Sequence, residues 1–265
     1  MTAPDTYETH AKGIRILPGQ WRPHYRWEQI AWVSPAWPSQ EYLWLDFPEA
    51  IFTDQGLLYL SAVNPPLPML FSDLPKVEWR ETPEGMTFER ELPNGVRFGG
   101  SVTRKDPSTV ALELHLTNGS DQALTRISLQ TCLFLRGVKE FSDFARDNKF
   151  VHVADLGWIT LTQARTIKRE GAPYTIGFRG KGEPVADSPV IVCVSNQTPR
   201  LVAMTWYDAT ASMTGNPGHP CMHADPRFPD LAPGETASVH GEVIFFEGAL
   251  SDFEGSAAFA RIRGR

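Results

Sequence analysis

Val110-Ala111-Leu112-Glu113-Leu114-His115-Leu116-Thr117 puts an aliphatic side chain at every second position, with Glu113, His115 and Thr117 interleaved. Successive side chains of an extended chain point to opposite faces, so the run reads as a strand with one face buried. Asn118-Gly119 ends it as a turn. The same punctuation recurs on both sides, at Asn64-Pro65-Pro66, Pro83-Glu84-Gly85, Pro93-Asn94-Gly95, Gly180 to Pro184, and Ala232-Pro233-Gly234-Glu235. Glu78 to Arg104 reads as consecutive strands joined at Pro83 and at Asn94-Gly95, the second a strong hairpin signal. Leu57–Val63, Leu124–Leu135, Val190–Ser195, Leu201–Tyr207 and Thr236–Phe246 are rich in β-branched and aromatic residues. The last ends Val243-Ile244-Phe245-Phe246, apolar on both faces, which predicts a strand inside the fold rather than at an edge.

One segment reads as a helix, Ser251 to Ile262, with Ser251 as N-cap and Glu254 three residues on. Residues 1–28 carry no clear period and form a less regular N-terminal segment. The 22 Pro and 21 Gly are heavy for a helical protein, since both break helices. The 265 residues therefore read as one all-β domain, an antiparallel β-sandwich with one short C-terminal helix.

Composition bounds the function. At 42% hydrophobic, with 8 Trp and 15 Phe, the chain has too much apolar surface for dominant disorder. A net charge of −6 argues against a nucleic-acid partner, which needs a basic footprint. No run approaches the roughly 18 apolar residues of a membrane span, and residues 1–15 contain no signal-like apolar stretch. The three cysteines, Cys132, Cys193 and Cys221, show no CxxC spacing. That pattern predicts buried thiols in a reducing compartment, hence a cytoplasmic address. The aromatic stretch from Trp21 to Trp32 could cover a sheet edge of its own domain or of a partner, and a homodimer is the expectation if it does the latter.

The densest polar chemistry lies between Thr214 and Pro226. If residues 219–225 are extended, His219, Cys221, His223 and Asp225 share one face. Imidazole, thiol and carboxylate are donors for Zn, Fe or Cu. Strand rise alone sets His219 and His223 about 13 Å apart, so joint ligation needs a bend, which Pro217 and Pro220 favour. A metal site, an organic-substrate site and an ordinary surface loop are the three readings of this cluster. In Trp37 to Ala50, alternation places Tyr42, Trp44 and Asp46 on one face and Leu43, Leu45 and Phe47 on the other. Arg97 and Arg104 could clamp a substrate carboxylate or lie on a solvated strand face. No G-x-S-x-G elbow or phosphate loop is present, and Phe98-Gly99-Gly100-Ser101 precedes no helix.

Thr214-Gly215-Asn216, then Cys221-Met222-His223, then Phe228-Pro229-Asp230-Leu231-Ala232-Pro233-Gly234-Glu235 and a closing strand together resemble the C-terminal signature of galactose mutarotase-like proteins, the aldose 1-epimerases among them. The resemblance is clearest over residues 214–246. It implies the supersandwich form of the β-sandwich, whose concave face holds saccharides. It also implies altered catalytic positions: His223 stands where the family's tripeptide ends in its general-base glutamate. The register that aligns the Ala154-Asp155 pair puts Lys149 where a family histidine stands, with His152 nearby. The family's other histidine falls near Thr131.

The leading expectation is a carbohydrate-active enzyme acting on a sugar or uronate by acid–base chemistry, of epimerase, mutarotase or lyase type, with a small-molecule or oligosaccharide ligand. His223 is the general acid or base and His152 its partner, because an imidazole can serve either role near neutral pH. His219, Asp225, Arg97 and Trp206 are the expected substrate contacts. Trp206 is chosen among Trp27, Trp32, Trp37, Trp44 and Trp158 as a stacking platform, although all-β cores also use such rings. No cofactor is needed in this reading. Two alternatives stand beside it: a non-catalytic carbohydrate-binding sandwich, and a divalent-metal-dependent sugar isomerase or lyase using His219, His223 and Asp225.

Overall fold

The computed structural model describes residues 13–21, 27–61, 69–71, 74–142, 146–178, 181–216 and 220–264. In chain order the first strands are β1 (Ile16–Gly19), β2 (Ile30–Val33), β3 (Leu43–Thr53) and β4 (Gly56–Leu60). The predicted hairpins follow as β5 (Arg80–Thr82), β6 (Gly85–Glu91), β7 (Arg97–Asp106), β8 (Thr109–Thr117) and β9 (Ser128–Phe134). Next come β10 (Lys149–Val153), β11 (Gly157–Thr160), a one-turn helix α1 (Leu161–Ala164), β12 (Tyr174–Ile176), β13 (Glu183–Ala186) and β14 (Val190–Val194). The chain closes with β15 (Arg200–Thr205), β16 (Thr210–Gly215), β17 (Cys221–Pro226), β18 (Thr236–Glu247), α2 (Leu250–Glu254) and α3 (Ala257–Arg263).

These strands make two nine-stranded sheets. The first runs β1-β2-β3-β9-β17-β16-β12-β13, with β4 attached to β3; the second runs β11-β10-β14-β15-β18-β8-β7-β6-β5. Among the pairings of these strands, β12 on β16 is the parallel exception to an antiparallel pattern. The protein is an all-β, antiparallel-dominated sandwich. No described helix is long and apolar enough to cross a membrane.

Alternation decides what lies between the sheets. Leu112, Leu114 and Leu116 of β8 meet Leu45 and Phe47 of β3, Leu133 of β9 and Met222 and Ala224 of β17 in one core. The β18 run that is apolar on both faces pairs with β15 on one side and β8 on the other, inside its sheet as expected. Its Val243 and Phe245 enter the central core, while Ile244 turns outward to meet Phe253, Phe259 and Ile262 of the C-terminal helices. Those three side chains cover the outer face of the second sheet, each worth roughly 1.5–3 kcal/mol of buried apolar surface.

Two turns from the sequence reading meet directly. Gly95 has φ 84°, the left-handed region that suits a hairpin glycine. A Cβ on Gly119 would sit 2.1 Å from the Gly95 carbonyl oxygen, so the neighbouring turn at Asn118-Gly119 needs its glycine for close approach.

The helix expectation is corrected, and two local details are added. The helix expected at Ser251–Ile262 is two helices, broken at Gly255 and Ser256. The first starts earlier than the Ser251 cap would place it, because Asp252 accepts the Ala249 N–H at 2.8 Å. Ser256 then caps the second, accepting from the Phe259 N–H at 3.2 Å. The segment 1–28 contains the regular strand β1, which pairs with β2 and extends the first sheet of its own chain; residues 1–12 and 22–26 lie outside the described residues. The turn α1 was not anticipated; Thr160 caps it by accepting from the Gln163 N–H.

Candidate functional site

The face of the first sheet that points away from the core carries the chemistry. On β17, parity puts Cys221, His223 and Asp225 on that face, while Met222 and Ala224 face the core. On β9, Cys132 and Phe134 face outward, opposite in sense to Leu133. Register then aligns four side chains in a row across the strands: Asp46 of β3 is opposite Cys132, Cys132 is opposite His223, and His223 is opposite Thr214 of β16. Neighbouring strands lie about 4.8 Å apart, so each member of the row meets the next. A second row beside it is aromatic, with Trp44 opposite Phe134 and Phe134 opposite Cys221. Trp21 stacks on Phe134 at 4.8 Å and is 38% exposed.

A bulge brings in a further carboxylate. Asp46 pairs with Cys132 and Ala50 with Gln130, so three residues of β3 face the single residue Thr131 of β9. Bulges of this kind re-aim side chains. Here Glu49 comes to lie with Oε2 3.8 Å from His223 Nδ1.

Asp225 supports the histidine from below. Its Oδ1 is 3.4 Å from His223 Nδ1 and accepts the Thr131 backbone N–H at 3.2 Å. The Thr131 hydroxyl donates to the Ala224 carbonyl at 2.7 Å and accepts from Trp206 Nε1 at 3.1 Å. Asp46 accepts from the Ser61 hydroxyl at 2.7 Å, and Arg165 donates to Thr214 Oγ1 at 2.8 Å at the far end of the row. The ring of Phe178 stands edge-on to His223, with centroids 5.2 Å apart.

Burial and charge oppose each other at these groups. Burial drags the His223 imidazolium down, but its interactions with the Cys221 sulfur and the Asp225 carboxyl outweigh burial and hold its pKa well above the usual histidine range. Burial raises Asp225 above an ordinary carboxylate, against the pull of His223. Cys132 is pushed well above a normal thiol by its hydrogen bond with Cys221, then by burial and the charges of Glu49 and Asp46. Sγ of Cys132, Sγ of Cys221 and a ring nitrogen of His223 lie within 4.8 Å of one another. The arrangement offers an imidazole flanked by two carboxylates for moving a proton, and a soft donor set for a metal.

The expected site residues divide. His223 and Asp225 are brought together, while His219 lies outside the described residues, so of the His219, His223 and Asp225 metal set only the latter two can be placed. His152 is on β10, in the other sheet. Its Nδ1 is 2.6 Å from Asp187 Oδ1, and its ring packs on Trp158 and Phe259 under the C-terminal helices, so it is not brought to His223. Arg97 is exposed at the start of β7, and Arg104 is paired with Glu84 at 2.7 Å. Trp206 is fully buried between the sheets, stacked on Phe47, and supports Thr131 rather than facing a ligand. Cys132 and Arg165 join the site without having been expected there, while Thr214 opens the polar cluster of the sequence and Glu49 belongs to the Trp37–Ala50 stretch that mixes acids with aromatics. A surface cleft of about 450 Å³ lined by Tyr207, Asp208, Arg227, Phe228 and His240 contains none of these groups.

No protein-family model matches the chain, and no curated protein sequence matches it. Solved structures do. The chain is similar to a GalM/aldose epimerase homologue from C. elegans at 13% identity, covering 90% of this chain and 97% of that one, with a TM-score of 0.43. It is also similar to a galactose mutarotase-like protein from Lactobacillus casei at 9% identity, covering 88% of this chain and 100% of that one, with a TM-score of 0.43. A polysaccharide lyase is matched at 12% identity over 92% of this chain and 33% of its own, with a TM-score of 0.41.

Proposed function

We propose that the protein is a carbohydrate-active enzyme that moves a proton on a sugar or uronate, with His223 and Glu49 as the exchanging groups and Asp225 orienting the imidazole. The observation that carries this reading is the placement of His223 Nδ1 3.4 Å from Asp225 and 3.8 Å from Glu49 on the outward face of the sheet. Epimerisation, mutarotation and β-elimination all need one group to accept a proton and another to donate one. Asp225 is 1% exposed and anchored by Thr131, so its role is to hold the ring; Glu49, on the bulge, is the more accessible carboxylate. The aromatic row of Trp44, Phe134 and Trp21 supplies an apolar surface suited to the C–H face of a pyranose. The sugar class itself comes from the sequence resemblance over residues 214–246.

The test is a panel of aldoses and uronates, free and oligomeric, scored for mutarotation, epimer formation and unsaturated product. Turnover on at least one member, lowered about 100-fold in Glu49→Gln, is the expected result. Saturable binding without turnover across the panel would replace the enzyme by a carbohydrate-binding sandwich.

A further inference from the structure

Cys132 and His223 are directly opposed residues of β9 and β17, and Cys221 stands two residues before His223 on the same face. All three are buried, at 3%, 2% and 0% exposure for Cys132, His223 and Cys221. Their three donor atoms lie within 4.8 Å of one another. We propose that Cys132, Cys221 and His223 bind a thiophilic divalent ion of the zinc class.

Geometry and donor chemistry agree on this. Tetrahedral zinc, with Zn–S about 2.3 Å and Zn–N about 2.0 Å, sets its donors about 3.5–3.8 Å apart. A cluster within 4.8 Å reaches that spacing by small side-chain rotations, with the strand pairing untouched. Two thiolates and an imidazole are soft and borderline donors, which select zinc over magnesium or calcium. The two thiolate charges also neutralise a divalent ion in a place where an uncompensated charge would be costly. Metal-bound histidines commonly have an outer carboxylate beside them, and Asp225 Oδ1 stands 3.4 Å from His223 Nδ1.

Three protein donors leave a fourth position, the pattern of zinc sites that act on a bound water or substrate. Glu49 Oε2 lies 3.8 Å from His223 Nδ1, next to the donor cluster. The metal proposal does not depend on the sugar reading. Where both hold, His223 is a ligand in the loaded protein and Glu49 is the remaining proton carrier. The third cysteine, Cys193, lies on β14 of the other sheet and serves as a control.

The experiment uses the full chain, reduced, stripped with chelator and titrated with Co(II), then with Zn(II) in competition. One equivalent per chain should give a thiolate-to-cobalt charge-transfer band that Zn(II) abolishes. Cys132→Ser and Cys221→Ser should each weaken binding by more than about 100-fold, beyond the 10–100-fold typical of an outer-sphere change, which is the range expected for Asp225→Asn. Cys193→Ser should bind as the parent does. Circular dichroism confirms that each variant is folded, and the parent titration stands without any variant. The proposal is overturned if the reduced parent shows no stoichiometric thiolate band, or if the band survives in both serine variants. Scoring the sugar panel on zinc-loaded and stripped protein separates the two readings. A cobalt band without turnover rejects the enzyme reading alone, and turnover without a band rejects the metal alone.

Discussion

His223 concentrates what a single residue can show. Its place opposite Cys132 and Thr214, with carboxylates on its Nδ1 side, is what the proposed proton-transfer role rests on. His223→Ala should lower turnover on the true substrate by about 100-fold or more, the usual contribution of a positioned proton-transfer group. His223→Gln should recover little, because an amide can hydrogen-bond but cannot shuttle a proton. Steady-state kinetics on both variants, with circular dichroism to confirm folding, checks this. Full activity in the alanine variant would remove His223 from the mechanism. Parity along one strand made Cys221, His223 and Asp225 legible as one face. That Cys132 completes the group was not legible, since it rests on the register between two strands distant in sequence. Trp206 and His152 show the converse. A large aromatic and an imidazole have the right chemistry for a site, yet one supports Thr131 in the core and the other is held by Asp187 beneath two helices.

At the scale of elements, alternation was the reliable signal and helix capping the weak one. The β8 pattern and the two-sided β18 run each dictated a strand and its depth in the sheet. The C-terminal helix failed because two capping signals compete within a few residues. Ser251 with Glu254 looks like a capping box, but Asp252 captures the Ala249 N–H and starts the helix sooner. Ser256 then donates to the Phe253 carbonyl at 2.6 Å and accepts from the Phe259 N–H, closing α2 and opening α3 with one hydroxyl. Ser256→Ala should therefore cost about 1 kcal/mol, at the N-cap scale, while Ser251→Ala should cost only a few tenths. Urea unfolding of the two variants decides between the caps. Equal effects would mean that α2 and α3 act as one helix in solution.

The whole molecule depends on how α3 closes the second sheet, and a buried carboxylate sits at that junction. Glu242 of β18, its side chain 4% exposed, accepts from Arg261 of α3 at 2.7 Å and from Lys105 of β7. Burial alone would raise the carboxyl, but hydrogen bonds from Lys105, from the Tyr207 hydroxyl and from Arg261 outweigh it and hold its pKa below the ordinary glutamate value. The sign of the linkage follows. Above the unfolded-state pKa the carboxylate is charged in both states and its stabilisation is fully present. As pH falls toward the depressed folded value, the unfolded chain takes up the proton first, and that stabilisation is lost. Lys105 and Arg261 are 38% and 31% exposed, so both contributions are partly screened. Glu242→Gln should lower stability at pH 7 by about 1.5–3 kcal/mol, the range for hydrogen bonds to a charged group. It should also flatten the fall in stability that the parent shows below pH about 4.5, where an unperturbed glutamate begins to protonate. Urea unfolding at steps from pH 7 to pH 3 measures both. Parallel curves for parent and variant would show that Glu242 does not couple the helix to the sheet through its charge.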